Sequence, residues 1–208
     1  MDVHEAIRRR RMVRSYDGRP VAPEALDRVL DAARRGPSAG NSQPVDLLVL
    51  TETEDRARFW ELSFPVPEAR ARFRWQGLFE APVVVIPLVE PEAYARRYAQ
   101  PDKARTGLAD LDAWPVPYWW IDGGAAVENL LLAVVAEGLG ALFFGLFVHQ
   151  AEILDAFGVP AGHRALGAVA LGHPAPDEPG RSSALARRGL EEIVHRGRWS
   201  TRSADPAG

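Results

Sequence analysis

A single domain of mixed helix and strand, of α/β class, is what this sequence predicts, and three observations carry that expectation. The chain has 208 residues, enough for one sizeable core. Its 47% hydrophobic and 25% charged residues are the balance of an ordinary globular protein. Stretches with helical spacing of apolar residues alternate with short apolar runs of strand length, and no internal repeat interrupts them.

In chain order, Asp2 followed by Glu5 resembles a capping box, and Val3, Ala6 and Ile7 share one face of a first helix running to about Arg11. Arg8, Arg9, Arg10 and Arg11 crowd its last turn, with Arg14 just beyond. Cations at the negative end of a helix dipole account for such a run, and so does a site for phosphate or another anion, which the guanidinium fork suits. Pro20 and Pro23 lead into a second helix with Leu26, Val29, Leu30 and Ala33 as its buried stripe, ended by Gly36. Residues 36–44, GPSAGNSQP, form a sharply punctuated loop in which Ser38, Asn41, Ser42 and Gln43 bring hydrogen-bonding groups to a backbone that Gly40 lets bend. A plain connection after a helix C-cap and a loop that approaches a ligand closely both fit it.

Residues 46–51, DLLVLT, predict a buried strand, and 54–63 a charged helix. Residues 64–76 have no convincing period and predict loop or irregular helix. PVVVIPLV at 82–89 is the strongest strand, with Pro87 marking the end of its pairing or an edge. A long connection over 90–117 holds a short helix around 92–98 and leads into PYWW. Trp114, Tyr118, Trp119 and Trp120 are core or subunit-contact aromatics, or the walls of a pocket. The helix over 121–138 is apolar almost all round and is expected to be buried, with Gly123 to Ala126 permitting close approach of another backbone and Glu128 and Asn129 needing partners. GLGALFFGLF reads as a turn into a strand, with Gly145 where a side chain would obstruct a ligand. A short amphipathic helix over 149–157 and a buried strand over 166–171 complete the body. Beyond it, Arg187 and Arg188 introduce LEEIVHRGRW, an arm that packs on something such as another subunit. The domain is expected to span 1–199, with 200–208 a disordered tail.

The exclusions narrow the chemistry. A net charge of −3 gives no reason to expect a nucleic-acid partner, and the lack of cysteine removes disulfides, thiolate metal sites and a cysteine nucleophile. The N-terminus lacks a signal-peptide core, and the apolar runs are too short or too broken by glycine to span a bilayer, so a cytoplasmic protein without a membrane partner is expected. Dinucleotide and P-loop fingerprints, HExxH and GxSxG are absent, and the five histidines have no metal-ligand spacing. An arginine-rich N-terminus, a glycine-serine-asparagine loop, a glycine-flanked strand and a C-terminal arginine pair suit a large anionic cofactor better than side-chain catalysis.

RRRMVRSYDGRPV, GPSAGNSQP, ENLLLAVVAEGLGALFFG, ALGHP and RRGLEEIVHRGRW occur in the order found in the nitroreductase-like FMN flavoproteins, which the chain resembles over nearly its whole length. The resemblance implies an α+β fold, a three-layer α/β/α arrangement with a mixed, mainly antiparallel central sheet, in an interlocked homodimer with FMN at the interface. Arg10, Arg11 and Met12 fall on positions beside the ribityl phosphate, and Arg14 on the basic position near the pyrimidine edge, where it would tune the reduced flavin. Pro37, Ser38, Ala39 and Asn41 match the loop reaching the flavin from the opposite subunit; Phe144, Gly145 and Leu146 match the turn near N5; Arg187 and Arg188 match the phosphate-gripping pair. Met12 stands where serine is frequent and Val45 where tryptophan is usual. The implied reaction takes hydride from NADH or NADPH to the flavin, then reduces a nitroaromatic, quinone or similar acceptor by a ping-pong mechanism. Dehydrogenation, dehalogenation, flavin breakdown and flavin binding without turnover are alternatives on the same fold, with substrate choice placed in residues 94–120.

Overall fold

The computed structural model describes residues 1–178, 180 and 184–199; the expected tail at 200–208 lies outside them. The chain divides into two compact units, Met1–Asp177 and Glu178–Gly208. In the first, the elements run α1 (Val3–Arg9), α2 (Pro23–Ala33), β1 (Val45–Leu50), α3 (Thr53–Ser63), α4 (Pro67–Ala71), β2 (Val83–Val89), α5 (Glu92–Tyr98), α6 (Tyr118–Ala136), β3 (Gly140–Phe144), α7 (Gln150–Ala156), β4 (Arg164–Ala165) and β5 (Ala168–Gly172). The second unit contains the short helix α8, Leu190–Ile193.

The strand order is β1-β2-β5-β3, with β4 also on β2, and every named pair is antiparallel. A parallel bridge from Met12 to Ala141 adds the N-terminal segment to the β3 edge. These ladders make the class α+β rather than the α/β that alternation alone predicts. The two-residue period of β2 explains the layering. Val84, Ile86 and Leu88 face one core with Phe59 and Trp60 of α3 and Ile153 of α7, while Val83 and Val85 face a second core with Val29 of α2 and Leu130 and Val134 of α6. Each fully buried valine or leucine contributes about 1.5–3 kcal/mol. A third cluster, Val89, Tyr94, Tyr98 and Trp119, closes one end of the sheet.

Three expectations change. Pro87 does not mark an edge: β2 is buried throughout and central. Glu90 N–H bonds to Pro44 C=O, so by antiparallel alternation Pro87 turns its backbone away from β1, and its carbonyl accepts from Leu166 N–H between β4 and β5. Its missing donor therefore falls where the ladder is already interrupted. β1, expected to be buried, is a half-exposed edge strand. Helix α6 is buried on one face only, with Ile121, Gly124, Glu128 and Ala136 exposed. It also continues through Gly123 and Gly124, so by length and composition it is apolar enough to cross a membrane, although its inner face is core. Residues 64–76 are loop and short helix as expected, with α4 between irregular segments, and Phe64, Phe73 and Phe79 meet one another at ring-centroid distances of 5.1–5.8 Å.

Candidate functional site

The N-terminal arginines divide their work. Helix α1 begins as expected, with Glu5 N–H donating to the Asp2 carboxylate at 2.8 Å, but it ends at Arg9, with Arg10 as its C-cap in non-helical geometry. Arg11 folds back onto the carbonyls of Arg8 and Arg10, at 2.8 and 3.0 Å, and Arg9 pairs with Glu5 at 3.2 Å. Those two satisfy the helix end and its surface. Arg10 instead turns toward α6 and meets Glu128 at 3.5 Å. Arg14 donates to the Met12 carbonyl at 3.0 Å and lies over the Trp75 ring, 5.1 Å from its centroid.

Between this segment and α6 lies a cavity of about 310 Å³. Its walls are Arg10 and Met12, Phe143 of β3, Leu166, and the stripe Trp120, Gly124, Val127, Glu128 and Leu131 of α6. The stripe follows from helical spacing. A Cβ added at Gly124 would meet nothing within 4 Å, whereas one at Gly123, about 100° round the helix from it, would stand 2.7 Å from Leu166 and 2.8 Å from Val89. Neighbouring glycines thus do different work, one opening the wall and the other closing the core.

The loop over 36–44 is held tightly. Gly40, Asn41 and Gln43 all have positive φ, at 62°, 57° and 49°, and the two non-glycine residues adopt a conformation costing about 1–2 kcal/mol each. Asn41 N–H bonds to Ser38 C=O, Ser42 Oγ to Ala39 C=O at 2.7 Å, and Gln43 N–H to Ser38 Oγ at 3.0 Å. Arg97, itself paired with Asp102 at 2.8 Å, donates to the Gly40 carbonyl at 2.7 Å. Ala39 N–H donates to the carboxylate of Asp122 at 3.2 Å, and the Tyr94 hydroxyl makes a short bond to the same oxygen. Burial, and after it Asp122, raises the Tyr94 pKa, so that hydroxyl stays a donor.

Of the residues singled out in sequence, Arg10 and Met12 line the cavity, with Arg14 two residues beyond. Pro37, Ser38, Ala39 and Asn41 are not among its walls. Phe144 stacks on Trp60 at 5.9 Å and Leu146 packs on the α3 core, so Phe143, one residue earlier, reaches the cavity instead. Beside Gly145 an added Cβ would meet the Phe147 ring at 2.5 Å. Arg187 and Arg188 belong to the second unit, where Arg188 donates to the Glu192 carbonyl at 2.7 Å. Trp114 and the PYWW aromatics split as both readings allowed: Trp119 is core, Trp114 half-buried beside it, and Trp120 a cavity wall. Sequence reasoning passed over Val127, Leu131, Phe143, Leu166 and Asp122 as site residues, and expected Gly124 to admit another backbone rather than to open a cavity wall. The i, i+4, i+7, i+11 spacing of the α6 stripe and an acid in the first turns of an apolar helix were the available signals.

Residues 7–173 match the Nitroreductase family profile. A Methanothermobacter thermautotrophicus protein, provisionally named NADH dehydrogenase/NAD(P)H nitroreductase, is 30% identical over 184 residues, covering 86% of this chain and 81% of that one. The FMN reductase [NAD(P)H] of Bacillus subtilis is 25% identical over 204 residues, covering 93% and 73%. Among solved structures, a provisionally named nitroreductase in complex with FMN from Desulfovibrio desulfuricans superposes with a TM-score of 0.66 at 28% identity, covering 96% and 99%. With the profile matched across the sheet, α6 and the arginine segment that build the cavity, the chain belongs to the nitroreductase family.

Proposed function

We propose that the protein is an FMN-dependent NAD(P)H oxidoreductase that reduces a nitroaromatic, quinone or similar small acceptor by a ping-pong cycle, as a homodimer with FMN at the interface. The observation that carries this reading is the cavity's composition. Met12, Val127, Leu131, Phe143 and Leu166 give apolar walls suited to a flat ring, and Gly124 leaves open space on one side. Arg10 supplies a guanidinium whose only described ionic contact is a 3.5 Å approach to a half-exposed carboxylate, so it is ready to meet an anion.

The residues that would hold FMN are Arg10, Arg11, Met12 and Arg14; Pro37, Ser38, Ala39 and Asn41 from the partner subunit; Phe144, Gly145 and Leu146; and Arg187 and Arg188. When bound, FMN supplies a two-electron carrier between NAD(P)H and the acceptor. The chain binds and orients: Arg10 counters negative charge, the apolar α6 stripe excludes water, and Arg14, held by the Met12 carbonyl and Trp75, presents a fixed positive charge. Support for the dimer comes from apolar side chains left open on α1 and on α6, which pack together: Val3, Ile7, Trp120 and Ile121 are all exposed.

The test is spectroscopic. Protein reconstituted with FMN should be yellow, bleach on anaerobic addition of NADPH or NADH, and recover colour with a quinone or nitroaromatic. Protein that takes up no FMN would sink the reading, and bound flavin that neither donor reduces would leave only a binding protein.

A further inference from the structure

Asp122 is the one charged residue buried among those described, 6% exposed, and it forms no ion pair there. A buried carboxylate without a cation is costly unless donors replace its water. Two do: the Tyr94 hydroxyl from α5 and the Ala39 amide from the loop. One acid in the first turns of α6 therefore joins three segments whose contacting residues lie 28 and 83 positions away in sequence.

The loop needs such a tie. Its internal bonds, from Asn41, Ser42 and Gln43 back to Ser38 and Ala39, shape it but attach it to nothing. Beyond the Glu90 amide on the Pro44 carbonyl at its far end, the described external polar contacts of the loop fall on two consecutive residues, Asp122 on the Ala39 amide and Arg97 on the Gly40 carbonyl. The Tyr98 ring closes over Gly40, where an added Cβ would lie 3.0 Å away. Tyr94, Arg97 and Tyr98 all belong to α5.

We propose that the Tyr94–Asp122 pair is the positioning device of the 37–41 loop, holding it in its ligand-ready shape before any cofactor arrives. Asp122 is then a positioning residue of the FMN site, and this consequence rests on the proposed role of that loop at the flavin. It also means that changes in the segment around α5 reach the cofactor through the loop, with no contact of their own.

The experiment compares wild type, Asp122→Asn and Tyr94→Phe by amide hydrogen exchange without FMN, and by FMN dissociation constant from fluorescence quenching. The amide introduced by Asp122→Asn would keep one acceptor for two donors and lose the charge that strengthens both bonds. Exchange at residues 39–43 should rise about tenfold in Asp122→Asn and less in Tyr94→Phe, while β2 and β5 are unchanged. FMN affinity should fall by a similar factor. Loop exchange within about twofold of wild type in both variants overturns the proposal. So does exchange that rises equally in β2 and β5, which would make the pair merely structural, or a loosened loop with unaltered FMN affinity. Should Asp122→Asn fail to fold, Tyr94→Phe decides, since it removes one hydroxyl and keeps the ring. If wild type binds no FMN, the functional reading fails while the exchange data still judge the anchoring.

Discussion

Gly123 and Gly124 show how little a residue's identity says about its job. They are chemically identical and adjacent on α6, yet a methyl at 123 would press on Leu166 and Val89 while one at 124 would enter open space. Gly123→Ala should destabilise by about 1–3 kcal/mol in denaturant unfolding, nearer the lower figure because flexible side-chain ends can yield. Gly124→Ala should raise helix stability by about 0.5–1 kcal/mol while weakening FMN binding, because the new methyl projects from the cavity wall. Thermal or denaturant melts beside flavin titrations separate the two effects, and equal FMN affinity in Gly124→Ala would remove that wall from the site. Positive φ at Asn41 and Gln43 is the same lesson in reverse, since neither residue type requires that conformation and only the surrounding bonds impose it.

At the scale of elements, the arginine run separates into groups that no local rule distinguishes. The end of α1 at Arg9 decides it: Arg11 curls back to the terminal carbonyls and Arg10 leaves the helix toward Glu128. Arg10→Ala should therefore cost little stability, within about 1 kcal/mol for a partly exposed pair, and reduce FMN affinity at least about tenfold. Fluorescence titration with FMN checks it, and an affinity unchanged in Arg10→Ala would remove that guanidinium from the site. Helix α6 teaches a related point. Its composition marks it as apolar, but composition cannot say which face meets the sheet, which lines a cavity and which stays open.

For the whole molecule, the open faces of α1 and α6 are the feature that one chain leaves unfinished. Val3, Ile7 and Ile121 are each more than half exposed, an arrangement that a second copy would bury. Sedimentation should find a dimer in wild type and a shift toward monomer in Ile121→Asp, with FMN affinity lost in parallel. A monomeric wild type that binds FMN normally would refute the interface site. The second unit also exposes Leu185, Leu190, Ile193, Val194 and Trp199, in keeping with an arm made to pack on something.

Helix and strand positions were legible in the sequence because spacing, proline and glycine act locally: α2, α5 and β2 lie within a residue or two of where periodicity puts them. The family was legible too, since its ordered motifs survive as sequence. A mainly antiparallel sheet came only with the family resemblance, and strand order and the place of Pro87 were not legible, because pairing partners are chosen by contacts far apart along the chain. The same limit governed the site. Arg10 stood out in the arginine run and Met12 through the family resemblance, but the α6 wall opposite them and the tie from Asp122 to the loop exist only once three distant segments fold against one another.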